Sequence, residues 1–230
     1  MKQPLLSLSR LAALMLALSM GFNLSAQSLF WNVGKPAERL TLGARFDWNF
    51  ARLGGDAPDN YNGRNGFGFG ASADINIFKS LSVNTGLFFT MKGCTYEADR
   101  PVGDMINIPY KFTEAVNFLE IPVYVSYHLR FRPDEDLQIY FGPYIDLGVY
   151  GKLGMKMRDG DDAYSQTKEN MFGKHNMGYH RWQYGLGLGA SYTFAGHYLV
   201  GLRYQWGVKD VAELVDARWN CCQLTVGYNF

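Results

Sequence analysis

Residues 66–78 read GFGFGASADINIF, with Phe67, Phe69, Ala71, Ala73, Ile75 and Ile77 on one parity and Gly68, Gly70, Ser72, Asp74 and Asn76 on the other. An unbroken period of two marks a strand with one apolar and one polar face. The pattern returns over 41–50, 81–92, 118–129, 137–152, 182–194, 198–206 and 222–230. Eight such segments are an even number, able to close into an antiparallel barrel. Short links at 79–80, 130–136 and 195–197 alternate with long polar ones at 51–65, 93–117, 153–181 and 207–221. Short turns on one side and long loops on the other suit an all-β, eight-stranded antiparallel transmembrane barrel. Both termini then lie on the periplasmic turn side.

A soluble lipocalin-type barrel would turn its apolar residues inward to a cavity. Here the polar parity carries charges of both signs and the apolar parity almost none, which suits lipid outside and a hydrated, paired interior. Aromatic residues also gather at the strand ends. Trp48, Phe50, Trp182, Tyr184, Tyr204 and Trp206 lie toward the loops, and Tyr127, Tyr192, Phe194, Tyr198, Tyr228 and Phe230 toward the turns. These read as interfacial belts.

Composition agrees. Lys and Arg number 22 against 21 acids, which argues against a nucleic-acid partner, and three cysteines cannot pair completely. At the front, Lys2 and Arg10 border the apolar run 11–21 (LAALMLALSMG), and Leu24-Ser25-Ala26 precedes Gln27. This is the layout of an export signal. The expected domains are a cleaved signal peptide at 1–26 and the barrel at 27–230. The run is too short for an anchor helix, and no cysteine follows it to carry a lipid.

Several segments carry a family resemblance. The run 118–129 (FLEIPVYVSYHL), Met91-Lys92-Gly93, Gly142-Pro143-Tyr144, the glycine-rich 184–189, Gly201-Leu202-Arg203-Tyr204 and the ending Gly227-Tyr228-Asn229-Phe230 resemble the PorT-type outer-membrane β-barrel family of Gram-negative bacteria. The resemblance covers essentially the whole mature chain and implies an outer-membrane location. A terminal aromatic implies reading by the barrel assembly machinery. It does not imply one activity, since the family includes a member tied to secretion and gliding and many of unassigned role.

The lumen of an eight-stranded barrel is about wide enough for side chains to fill. Charged inward positions are Arg45, Lys92, Lys152 and Arg203 against Asp47, Asp74, Glu120 and Asp146. This balanced set is expected to form a salt-bridged plug, because an unpaired buried charge is costly. Facing direction makes Glu120 and Arg203 the expected pair. Gly185, Gly187 and Gly189 face inward beside the inward Tyr140, Tyr144 and Tyr150, so tyrosine rings are expected to lie over glycines. The stretch is not a phosphate loop, since no helix pattern follows.

Other chemistry is poorly supported. Ser126 and His128 share an inward face with Glu120, but neighbours two apart on a strand stand almost 7 Å apart, too far for direct proton transfer. His175 and His180 share a loop with Asp159, Asp161 and Asp162 without the spacing of a calcium loop. Cys94 and Cys221 face inward near the loop end, Cys222 faces lipid, and all three are expected as free thiols. Residues 209–218 (KDVAELVDAR) allow two or three helical turns with Val211, Leu214 and Val215 on one side.

The expected function is therefore that of an integral outer-membrane barrel of structural or interaction type, with no cofactor, metal or catalytic residue. Its expected partners are outer-membrane lipid, the assembly machinery and an envelope or secretion protein. A narrow porin-like channel for small solutes is the alternative.

Overall fold

The structure, a computed structural model, describes residues 39–55, 61–78, 80–102, 106–159, 162–169, 171–172, 178–212 and 216–230. The export signal and its cut after Ala26 lie outside the described residues. The strands are β1 (Leu40–Gly55), β2 (Tyr61–Phe78), β3 (Leu81–Val102), β4 (Ile106–Arg132), β5 (Glu135–Asp159), β6 (Asp162–Glu169), β7 (Trp182–Phe194), β8 (Tyr198–Gly207) and β9 (Ala217–Asn229).

Eight of these close a ring. Each of β1 to β4 pairs antiparallel with the next, β5 pairs with β7, β7 with β8 and β8 with β9, and β9 returns to β1. Every backbone group in the wall can then bond to a neighbouring strand, as a chain surrounded by hydrocarbon requires. No helix among the described residues is long and apolar enough to cross a membrane, so strands do the crossing. The ninth strand, β6, stands outside the ring as a flap on the distal part of β5, from Lys152↔Glu169 to Asp159↔Asp162.

Burial is inverted relative to a soluble domain. Leu42, Phe46, Phe69, Val125, Phe141, Leu188, Leu202 and Leu224 are exposed on the outside, while Asp47, Lys92, Glu120, Asp146, Arg203 and Gln205 are buried within. The aromatic belts are present at both ends. Near the loops Tyr204 and Trp206 meet edge-on at 4.7 Å. Near the turns Tyr198, Tyr228 and Phe230 form a chain of edge contacts at 5.5 Å.

Two sequence expectations change. First, the strands run well past the lipid-facing band. The segments expected as loops at 93–117 and 153–181 are largely strand, with β3 and β4 paired as far as Val102↔Ile106 and β6 added beyond β5. Apolar contrast exists only where one face meets lipid, so hydropathy marks the membrane part of a strand and not its extension. Second, the described residues of 209–218 contain no helix; Val211 and Ala212 instead pack inward over the mouth. Leu214 and Val215 lie outside the described residues.

A bulge in β5 changes facing direction. Phe118 pairs with Gly148 but Asn117 with Tyr150, so Val149 is the extra residue. One inserted residue reverses every later side chain. Tyr150 and Lys152 therefore do not enter the lumen: Lys152 is exposed and its ammonium lies 5.4 Å from the Tyr150 ring.

Candidate functional site: the sealed lumen

Side chains fill the barrel in three tiers. The middle tier holds Lys92 from β3, Glu120 from β4, Asp146 from β5, Arg203 from β8 and Asp47 from β1, each at most 6% exposed. Lys92 Nζ stands 2.7 Å from Asp146 Oδ2 and 3.7 Å from Glu120 Oε2. Arg203 Nη2 stands 3.4 Å from Glu120 Oε1 and 3.5 Å from Asp47 Oδ2. Glu120 thus links both cations, and the pair anticipated from facing direction is in contact. Neutral groups complete the tier: Gln205 donates to Glu120 Oε1 at 2.8 Å, Arg203 donates to the Gln223 carbonyl, and Thr225 donates to Asp47. The cations also lie over rings, Lys92 over Tyr144 at 4.8 Å and Arg203 over Tyr124 at 5.7 Å.

Glycines make room for those rings. An added Cβ would meet the Tyr144 hydroxyl at Gly185, the Tyr124 hydroxyl at Gly187 and the Tyr140 ring at Gly189. Two of the three tyrosines anticipated from β5 take these places. The third is Tyr124 of β4, which reaches past Gly142, the residue opposite Gly187 on β5, while the bulge sends Tyr150 outside.

The lower tier, toward the turns, holds the remaining charged positions. Asp74 Oδ2 accepts from Gln138 at 2.5 Å and stands 3.3 Å from His128 Nε2. His128 Nδ1 meets Asp136 Oδ2 at 2.5 Å. Asp74 therefore belongs to a histidine cluster rather than to the Lys92–Arg203 network. Arg45 turns to the open end as well, donating to the carbonyls of Ala44 and Tyr228 and, at 2.5 Å, to Asn229 Oδ1. A cavity of about 300 Å³ opens here between Arg45, Asp74, His128, Arg130 and Asp136.

His128 also lies 2.8 Å from Ser82 Oγ, so Ser82, His128 and Asp136 are in line at relay distances. The residues weighed from sequence, Ser126 and Glu120, are not part of this line, and Ser126 Oγ has no hydrogen-bond partner. A serine nucleophile needs an imidazole nitrogen free to accept its proton. Here a carboxylate faces each ring nitrogen, so each nitrogen is placed to donate, and Ser82 is only 1% exposed. The arrangement ties β2, β3, β4 and β5 together. Among the described residues no group of three or more His, Cys, Asp or Glu could hold a metal ion. His175 and Asp161 lie outside the described residues.

The upper tier is apolar. Met171, Phe172, Val211 and Ala212 fold in from the long loops and pack with Val116, Phe118, Trp219, Cys94 and Cys221 into one buried cluster. Phe172 sits against Gly148, where a Cβ would collide with its ring. The three cysteines are free thiols. A carboxyl is buried in this tier, that of Glu114 on β4. On β4 the apolar outer face ends at Leu119 and continues as Asn117, Ala115 and Thr113, so Glu114 stands above the lipid-facing band. It accepts from Tyr179 Oη at 2.6 Å and Cys94 Sγ at 3.5 Å. Burial raises its carboxyl above the usual range, and the two hydrogen bonds act against that rise.

Hydropathy reading placed His128 inward but missed its partners Asp136 and Ser82, and it missed Gln205, Gln223 and the stopper residues Met171 and Phe172. The two glutamines were discoverable as inward polar positions. Asp136 fell in a turn, and the stopper residues stood in a segment with no period.

A family model described as outer membrane protein beta-barrel domain matches residues 55–213. The chain belongs to this family. It is an outer-membrane protein, and its closed ring of strands is the architecture the family name describes. Comparison with curated proteins returns no match. Among solved structures, Ail, the attachment invasion locus protein of Yersinia pestis, is 14% identical, with 83% of this chain and 97% of that chain covered and a TM-score of 0.35. Neisserial surface protein A is 15% identical, covering 84% and 100%, with a TM-score of 0.38. OprG from Pseudomonas aeruginosa is 10% identical, covering 83% and 94%, with a TM-score of 0.31. These scores are low, and the placement rests on the family match and the ring.

Proposed function

We propose that this barrel is a non-conducting outer-membrane anchor whose extended loops and periplasmic turns meet partners. The observation that carries the reading is the double closure of the lumen: an ion-paired middle tier spans β1, β3, β4, β5 and β8, and an apolar stopper covers it. The cavity on the turn side ends against these tiers, so a solute entering from the periplasm meets a filled interior. The chain's role is that of a scaffold rather than an enzyme, because the serine–histidine–aspartate line found among the described residues has a buried serine and a doubly engaged imidazole.

Three kinds of partner fit. Outer-membrane lipid covers the apolar wall, the assembly machinery reads the C-terminal aromatic strand, and an envelope or secretion protein meets the β3–β6 extension or the turns. The resemblance to PorT-type barrels supports the last of these, and so does strand pairing that continues past the lipid-facing band as far as Val102↔Ile106. Planar-bilayer recording of the purified, folded protein tests the reading. Silence with intact, heat-resistant barrel supports the anchor, whereas steady unitary currents support a narrow porin-like channel and reject it.

A further inference from the structure

The middle tier is not electrically balanced. It holds two cations, Lys92 and Arg203, and three carboxyl groups, Asp47, Glu120 and Asp146, all buried. The charged groups of the neighbouring tiers do not reach the Glu120–Asp146 pair. Arg45 is hydrogen-bonded at the turn end and adds its charge only on the Asp47 side, His128 is engaged by Asp74 and Asp136, and Glu114 is held by Tyr179 and Cys94. An unpaired carboxylate inside a lipid-clad cylinder is strongly disfavoured, so one positive equivalent is required.

The geometry shows where it goes. Glu120 and Asp146 are direct cross-strand partners, and one ammonium, Lys92 Nζ, lies 3.7 Å from the first carboxyl and 2.7 Å from the second, so the two are gathered around a single cation. Each has one buried oxygen with no hydrogen-bond partner among the described residues, Glu120 Oε2, which Lys92 approaches only to 3.7 Å, and Asp146 Oδ1. Each uses its other oxygen elsewhere: Glu120 Oε1 accepts from Gln205, and Asp146 Oδ2 from Lys92. We propose that Glu120 and Asp146 share one proton, taken from solvent, so that the centre of the barrel is a proton-binding site occupied at neutral pH.

Two facing carboxyls cannot both ionise at close range, and a single proton gives one of them a donor and the other its missing partner. A metal cation is the less suitable occupant, because Lys92 Nζ already lies 2.7 Å and 3.7 Å from the two carboxyls and would repel it. The other groups facing the pair are Tyr124 and Tyr144, whose rings lie against the cations, Cys221 from β9, and Arg203 with Asp47 on the far side.

Infrared spectroscopy of the full folded chain in lipid nanodiscs tests this directly. With the pair intact, the protein at neutral pH should show a protonated-carboxyl C=O band that shifts in D2O and is lost in both Glu120→Gln and Asp146→Asn. These changes preserve shape, every sample carries Glu114→Gln so that its own raised carboxyl gives no band, and absence of the band before either substitution is decisive even if a variant folds poorly. No such band at neutral pH, or a band that survives both substitutions, overturns the proposal. So does the absence of a band together with heat resistance that depends on added sodium, which would assign the site to a metal cation.

Discussion

The Tyr124 hydroxyl lies 2.6 Å from the point where a Cβ on Gly187 would stand. Tyr124 is fully buried and stacked on Tyr140 at 5.4 Å, so its ring has no free volume into which to retreat. Gly187→Ala therefore overpacks the lumen. A loss of about 1–3 kcal/mol is expected, read as a lower temperature for the shift from folded to unfolded mobility in gels. Unchanged heat resistance would show that Tyr124 is not held as described.

That contact also shows the reach of sequence reading. The inward facing of Gly185, Gly187 and Gly189 was legible from alternation, and so were the tyrosines that cover the first and last of them. The middle partner was not, because Gly142 stands opposite Gly187 and Tyr124 reaches over it from β4, one strand further, which depends on strand stagger; the bulge at Val149, also unmarked in hydropathy, turns Tyr150 and Lys152 outside. Asp47, Lys92, Glu120, Asp146 and Arg203 were all legible as inward charges, since each falls on the polar parity of an apolar strand. Their division from Asp74 and Arg45 was hidden, because tier height depends on the stagger of strands around the ring. β6 and the stopper were equally hidden, as neither has a lipid-facing side to give it a period.

Lys92 is the cation on which two carboxyls depend. Lys92→Met leaves Glu120 and Asp146 buried without it, at a cost of about 3–5 kcal/mol. Adding Asp146→Leu should recover most of that loss, since replacing both partners of a buried pair by apolar groups is close to neutral. Urea titration of Lys92→Met, Asp146→Leu and the double variant in detergent measures both effects, and independent, additive losses would contradict the linkage.

The stopper protects two thiols. Cys94 and Cys221 are buried beneath it, at 0% and 1% exposure. Phe172→Ala removes the ring that seats against Gly148, and a truncation of this kind costs about 3–5 kcal/mol of packing. Labelling of Cys94 and Cys221 by a water-soluble maleimide should be slow in the wild type and at least about tenfold faster in the variant, as opening free energy falls. Equal rates would mean that Phe172 does not hold the mouth closed.

The Glu114–Tyr179 contact gives the cap a pH dependence. Burial raises the Glu114 carboxyl, so the folded protein binds a proton more tightly than the unfolded chain does. Its contribution to stability is therefore greatest at acid pH and is lost as pH rises from the ordinary carboxylate value through the raised one. Glu114→Gln should flatten this part of the profile of melting temperature against pH. A wild-type profile that rises across that window because of Glu114 would reverse the sign and contradict the account.

The account as a whole requires that the apolar parity meet lipid and the ionic parity be enclosed. Nitroxide labels at Leu188→Cys and Leu224→Cys, in a Cys222→Ser background and reconstituted in bilayers, measure this through collision rates with dissolved oxygen and with a water-soluble nickel complex. High oxygen and low nickel accessibility at both positions is the predicted result. Nickel accessibility at both sites equal to that of a label in the extracellular extension would contradict it.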